Sequence, residues 1–351
     1  MNAMNNNRSV RRAFCTGLLA ILCSSLAKAA GPVLPDNVER RDVTIFSDGV
    51  RMAGDLYLPK GLKADDKRPA IVICAGTGGT KGTAGGRVGP IFAQNGCVAL
   101  AFDYRGWGES DSKLITLEKQ PRPDDKGEVQ VKARAVRWQM DFADQVMDIR
   151  AAISFVAGEP NVDAERVGIW GTSYGGGLVT WTAGNDPRVK CTVAQVPGMG
   201  GGRGPLATAR AFEQLTKQSR GEIEPVPFET GKFGGLMAVY AQMRVNPTKS
   251  IGYSAFEAAE KIRTPMLIID AGNEELMKIE DNGKRVADIL KKNGTPVDYR
   301  IMEGMTHYGV YKERFKEVTE VEVAWLKEHL TAKAPTPGNA PKDAAQQSPR
   351  R

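Results

Sequence analysis

Between residues 38 and 330 the chain alternates two kinds of hydrophobic pattern. Short, mostly apolar runs stand at Ala70–Cys74, Cys97–Phe102, Arg166–Trp170, Cys191–Val196 and Pro265–Asp270, as expected of strands buried on both faces. Between them apolar residues recur at helical spacing. Met140, Phe142, Val146, Ile149, Ile153 and Val156 predict a helix over Trp138–Val156, and Asp281–Lys292 and Lys312–Leu330 predict two more. Val38–Phe46 and Val50–Leu58 are strand-like and joined at Ser47-Asp48-Gly49, a hairpin signal. Val297–Met302 reads as the last strand. The Gly-rich stretch from Gly76 to Gly89 is expected to be a loop. Ser112–Lys132 is polar, with Pro121 and Pro123, and reads as an excursion, while residues 197–262 read as a cap-like insertion. Eight strands alternating with helices predict an α/β fold, with a mostly parallel sheet covered by helices on both faces. Chemistry in such sheets gathers at the carboxyl ends of the strands.

The two ends follow other patterns. Arg8, Arg11 and Arg12 precede the apolar segment Ala13–Ala27 and the small-residue site Ala27-Lys28-Ala29. This predicts a signal peptide over residues 1–29 and a bacterial protein that is periplasmic or secreted. Arg11-Arg12 also resembles a twin-arginine signal. The apolar run is short for a span, so no stable membrane insertion is expected after cleavage. Residues 331–351, rich in Pro, Ala, Lys and Gln, predict a disordered tail after the body at 30–330.

The net charge of +7 belongs to these ends. Residues 1–29 hold four basic side chains and no acid, and residues 331–351 hold Lys333, Lys342, Arg350 and Arg351 against Asp343, so the body is neutral. That distribution excludes a phosphate-binding surface, and no nucleic-acid partner is expected. Cys74, Cys97 and Cys191 each lie in an apolar run and read as buried thiols. With His307 and His329 as the only two histidines, neither a metal nor a cofactor is expected.

Gly171-Thr172-Ser173-Tyr174-Gly175 is G-x-S-x-G, placed where a buried strand gives way to a helix. Such a turn strains the serine and exposes its hydroxyl, and the flanking glycines remove side chains that would clash. Ser173 is the candidate nucleophile. His329 lies within the closing helix, whereas His307 follows the last strand, where a base must sit, so His307 is the candidate base. The orienting carboxylate should follow the strand Pro265–Asp270. Glu274 is favoured, with Asp270 next and Glu275 also in reach. The oxyanion donors are expected to be the backbone N–H groups of Tyr174, directly after the nucleophile, and Thr77, in the loop after Ala70–Cys74. A phosphate cradle in that loop is disfavoured, because Thr80-Lys81-Gly82 lacks the G-K-[ST] ending.

With these residues in place the chain resembles the α/β-hydrolase superfamily. It is similar to the dienelactone-hydrolase-like and X-Pro-dipeptidyl-peptidase-like branch that includes acetyl-ester hydrolases. The matching segments are Ser47-Asp48-Gly49 with Leu56-Tyr57-Leu58-Pro59, Asp103–Ser110, Val162-Asp163 with Arg166-Val167-Gly168, Gly171–Gly176, Thr264-Pro265 with Glu274-Glu275-Leu276, and Thr306-His307-Tyr308 with Tyr311. Two positions depart from the family pattern: Ala75-Gly76 replaces the usual His-Gly, and Glu274 replaces the usual Asp. Together with the expected signal peptide, the resemblance implies an exported serine hydrolase that cleaves a small-molecule carboxylic ester through an acyl-enzyme on Ser173. The alternatives are an X-Pro-type peptidase and a non-catalytic binding protein on the same fold. Substrate choice is expected to lie in the excursion and the insertion, where Phe212, Phe228, Phe233, Tyr240 and Phe256 are candidates for an acyl pocket. Arg203 and Arg210 read as solvated.

Overall fold

The structure is a computed structural model that describes residues 34–200, 205–229 and 241–331. The expected signal peptide and all of the expected tail after Thr331 lie outside the described residues. In chain order the first elements are β1 (Val38–Ser47), β2 (Val50–Pro59), β3 (Arg68–Cys74), α1 (Gly86–Gln94) and β4 (Val98–Phe102). The excursion contains β5 (Leu114–Thr116) and β6 (Ala133–Ala135), paired with each other. Then come β7 (Gln139–Met140), α2 (Phe142–Ala157), β8 (Val162–Thr172), α3 (Tyr174–Asn185) and β9 (Val189–Gln195). The insertion holds α4 (Pro205–Ser219), β10 (Arg244–Val245) and α5 (Ala255–Ala259). The chain closes with β11 (Met266–Ala271), α6 (Gly283–Lys292), β12 (Val297–Met302) and α7 (Phe315–Thr331).

Eight strands form one sheet in the order β1-β2-β4-β3-β8-β9-β11-β12. The β1–β2 and β2–β4 pairs are antiparallel and the rest parallel. Asp48 and Gly49 turn the β1–β2 hairpin at φ 49° and 76°, the left-handed pair a two-residue turn needs. Successive strand residues point to opposite faces, and each face has its own core. Ile71, Ile73, Ala99 and Ile269 pack with Val88 and Phe92 of α1 and Val318 and Leu326 of α7. Val72, Leu100 and Ile268 pack on the other face with residues of α2, α3 and α6, among them Ile149, Leu178 and Val286.

Two expectations about elements are corrected. The Gly-rich stretch is not loop throughout: after a single π-helical turn at Lys81–Gly85, α1 begins at Gly86. Its glycines serve close packing, since a Cβ on Gly85 would lie 2.2 Å from the Cβ of Ala101, and one on Gly89 2.5 Å from the Tyr57 ring. The second correction concerns α2, which starts at Phe142. Asp141 has extended backbone and caps the helix by accepting from the Asp144 N–H, so Met140 falls in β7, paired in parallel with β10 of the insertion.

One buried ion pair ties distant segments together beside this helix. Arg105, after β4, donates from Nε to Asp148 Oδ1 of α2 at 2.8 Å and from Nη2 to Ser47 Oγ of β1 at 2.7 Å. The side chain of Asp148 has no solvent exposure.

Candidate active site

Ser173 occupies the turn between β8 and α3 with φ 52° and ψ −121°, a conformation a non-glycine residue holds only when its surroundings enforce it. The neighbours here do so. A Cβ on Gly175 would lie 2.3 Å from the Cys74 carbonyl oxygen, and one on Gly171 2.4 Å from the Gly175 carbonyl oxygen. The Ser173 N–H donates to the Gln195 carbonyl, and its own carbonyl accepts from Gly176 and Gly198. The turn is therefore fastened on both sides, and the start of a twelve-residue helix directs positive dipole toward it.

The loop after β12 brings His307 to the same place. Its Nε2 lies 3.0 Å from Ser173 Oγ, and its Nδ1 lies 2.8 Å from Glu274 Oε2. The imidazole is 2% exposed and the Glu274 side chain 5%, so this contact is shielded from water. Glu274 is held in turn, because its Oε1 accepts from the Leu276 N–H at 2.8 Å. Of the three carboxylates considered from sequence, the one that meets the imidazole is Glu274, in the loop after β11. Glu275 instead accepts from the His307 backbone N–H at 2.6 Å. Asp270 faces away: it accepts from the Tyr299 hydroxyl at 2.9 Å and lies against Gly283 at the start of α6. Burial raises the Asp270 carboxyl to about 7.

A cavity of about 470 Å³ opens beside Ser173. Thr77 lines it, together with Gly76, Gly78, Gly79, His307 and Tyr311, so the loop chosen for the second oxyanion donor borders the nucleophile. Tyr174 starts α3, and its hydroxyl donates to Gln145 Oε1 at 2.5 Å. Among the described residues, no aromatic residue of the insertion lines this cavity. Phe256 of α5 is buried in the core, Phe212 is exposed, and Phe228 carries the Arg134 guanidinium on its ring. Phe233 and Tyr240 lie outside the described residues. Sequence reasoning assigned no role to two groups here. Arg87 lines the cavity from α1, and its position was hidden by reading that stretch as loop. Tyr311 places its hydroxyl 2.5 Å from Thr172 Oγ1, which also accepts from Gln195 Nε2 at 2.9 Å.

Cys74, Cys97 and Cys191 are buried free thiols. Among the described residues no three His, Cys, Asp or Glu side chains are grouped to hold a metal ion, and no helix is long and apolar enough to cross a membrane.

Comparison with known proteins gives a consistent picture. The acetyl xylan esterase family matches residues 36–201, and an alpha/beta hydrolase fold family matches residues 139–310. An uncharacterized 31.7 kDa protein of the traX-finO intergenic region of Escherichia coli is 28% identical over 312 residues, covering 81% of this chain and 98% of its own. The quorum-quenching protein AidA of Acinetobacter baumannii is 31% identical over 187 residues, 52% of this chain and 53% of its own. Among solved structures, Est1E from Butyrivibrio proteoclasticus with ferulic acid bound has a TM-score of 0.57 at 18% identity, covering 82% of this chain and 99% of that one.

Proposed function

This chain belongs to the α/β-hydrolase superfamily, with acetyl-ester hydrolases among its relatives, and from that premise we propose that it is an exported serine hydrolase of carboxylic esters. Its catalytic residues are Ser173, His307 and Glu274. His307 Nε2 takes the proton from Ser173 Oγ as that oxygen attacks the ester carbonyl carbon. Glu274 holds the Nδ1–H and stabilises the imidazolium that forms. The N–H groups of Tyr174 and Thr77 bind the developing oxyanion, each contributing about 2.7–4 kcal/mol of barrier lowering. His307 then gives its proton to the leaving alcohol, and water activated by the same nitrogen releases the acid from Ser173.

One observation carries this reading: a serine held at φ 52° with its Oγ 3.0 Å from a buried imidazole, which is itself 2.8 Å from a buried carboxylate. Strain of this kind clusters at active sites, which favours the catalytic reading over a binding protein on the same fold. Export rests on residues 1–29 alone. The test is intact-mass analysis after exposure to a fluorophosphonate, on the wild type and on Ser173→Ala. The expected result is one adduct on the wild type and none on the variant. A folded wild type that stays unlabelled, or a variant that labels equally, overturns the reading.

A further inference from the structure

Among the described residues, the cavity beside Ser173 is lined by one arginine that no carboxylate pairs with. Arg87 lines it from the first turn of α1. Its Nη1 donates to the Tyr311 carbonyl oxygen, and its Cζ lies 4.1 Å from the centroid of the Phe315 ring. Those contacts fix the guanidinium and use one of its five N–H donors, yet neither partner is an anion. No carboxylate among the described residues forms an ion pair with it. Other basic residues nearby are compensated. Lys81, earlier on the same stretch, lies 2.9 Å from Asp55 and 3.2 Å from Glu109, and Arg314 pairs with Glu317.

The chemistry at Ser173 gives the cavity a direction. The leaving group must stand beside His307 Nε2 to receive its proton, and the carbonyl oxygen must face the N–H groups of Tyr174 and Thr77. The stretch from Gly76 to Arg87 supplies part of the cavity wall, and an acyl chain laid along it would meet the guanidinium. We propose that Arg87 makes this wall a subsite for acyl groups whose far end is anionic, a carboxylate above all. The preferred substrates are thus half-esters of dicarboxylic acids. A guanidinium presents paired donors that match the two oxygens of a carboxylate, and a bond to a charged partner is worth roughly tenfold in affinity or more. Arg87 is exposed, so salt weakens the attraction. This inference rests on the serine-hydrolase reading above.

The experiment compares 4-nitrophenyl hemiadipate with its neutral methyl adipate counterpart, using the full chain, Arg87→Met and Arg87→Lys. The readout is the ratio of kcat/KM for the anionic ester to that for the neutral one. The wild type is expected to give a ratio of about ten or more, falling as salt is added. Met should bring the ratio to near one, and Lys should keep it above one. A purely structural contribution of Arg87 would lower both rates together and leave the ratio in place, which overturns the proposal. A wild-type ratio near one also overturns it, with the hydrolase reading intact. If neither ester is cleaved and the fluorophosphonate leaves Ser173 unlabelled, the hydrolase reading itself has failed and takes this proposal with it.

Discussion

Glu322 of α7 has no solvent exposure, and neither of its carboxyl oxygens has a hydrogen-bond partner. The indole of Trp170 pulls its acidity the other way without closing a regular hydrogen bond, and burial dominates, pushing the carboxyl up from 4.5 to about 8. The sign of the effect follows directly. Below pH 4.5 both folded and unfolded chains hold the proton. Between 4.5 and 8 the folded chain keeps it while the unfolded chain releases it, so stability falls as pH rises, by up to about 1.36 kcal/mol per pH unit. Above 8 both states are ionised and the loss levels off. The separation of about 3.5 units gives a total on the order of 5 kcal/mol, of which about 3 kcal/mol is already lost at pH 7. Glu322→Gln keeps the shape and removes the ionisation. Urea unfolding of both proteins at pH 5, 7 and 8.5 should show an advantage for Gln that is small at pH 5 and grows with pH. A difference that is the same at all three values would refute the assignment of a neutral buried acid.

Two further outcomes follow from the contacts. Glu274→Gln should preserve the fold but lower kcat by about 10³–10⁴-fold, since an amide can favour the wrong imidazole tautomer. Steady-state kinetics on a chromogenic ester beside a melting curve separates that loss from unfolding. Asp148→Ala removes the buried carboxylate nearest the Arg105 guanidinium, leaving Asp144 and Asp48 at 3.9 Å, and should destabilise the fold by about 3 kcal/mol. Urea unfolding at neutral pH measures it.

Much of this architecture was legible because the central strands are buried on both faces and therefore read as apolar runs bounded by polar turns. Ser173 stood out through the glycines around it, and His307 because the other histidine, His329, lies in a helix. The site's acid was less legible: one carboxylate ends a strand and two stand in the loop after it, and only folded geometry sends Asp270 to Tyr299, Glu275 to a backbone N–H and Glu274 to the imidazole. The substrate wall was illegible for a related reason. Aromatic residues in an insertion can pack inward or stay outside, and composition does not tell Phe256 in the core from Phe212 in solvent. The glycines of residues 76–89 hid α1, and Arg87 with it. Glycine there answers the closeness of Ala101 and Tyr57, residues that local sequence does not bring into view.

The hydrogen bond between Ser173 and His307 spans 134 positions of the chain, and this distance sets the order in which reactivity can arise. A chain made or exported from its N-terminus can form the strained turn once β8, α3 and their neighbours have met. The imidazole arrives only after β11 and β12 have added to the far side of the sheet, a late step for any topology built on long-range pairing. Until then the serine has no base and is an ordinary alcohol. On the mechanism proposed above, chains that stall or are cut before residue 297 lack the imidazole and should not cleave esters, however well their first half has folded. On the function proposed above, activity therefore reports completion of the last strand.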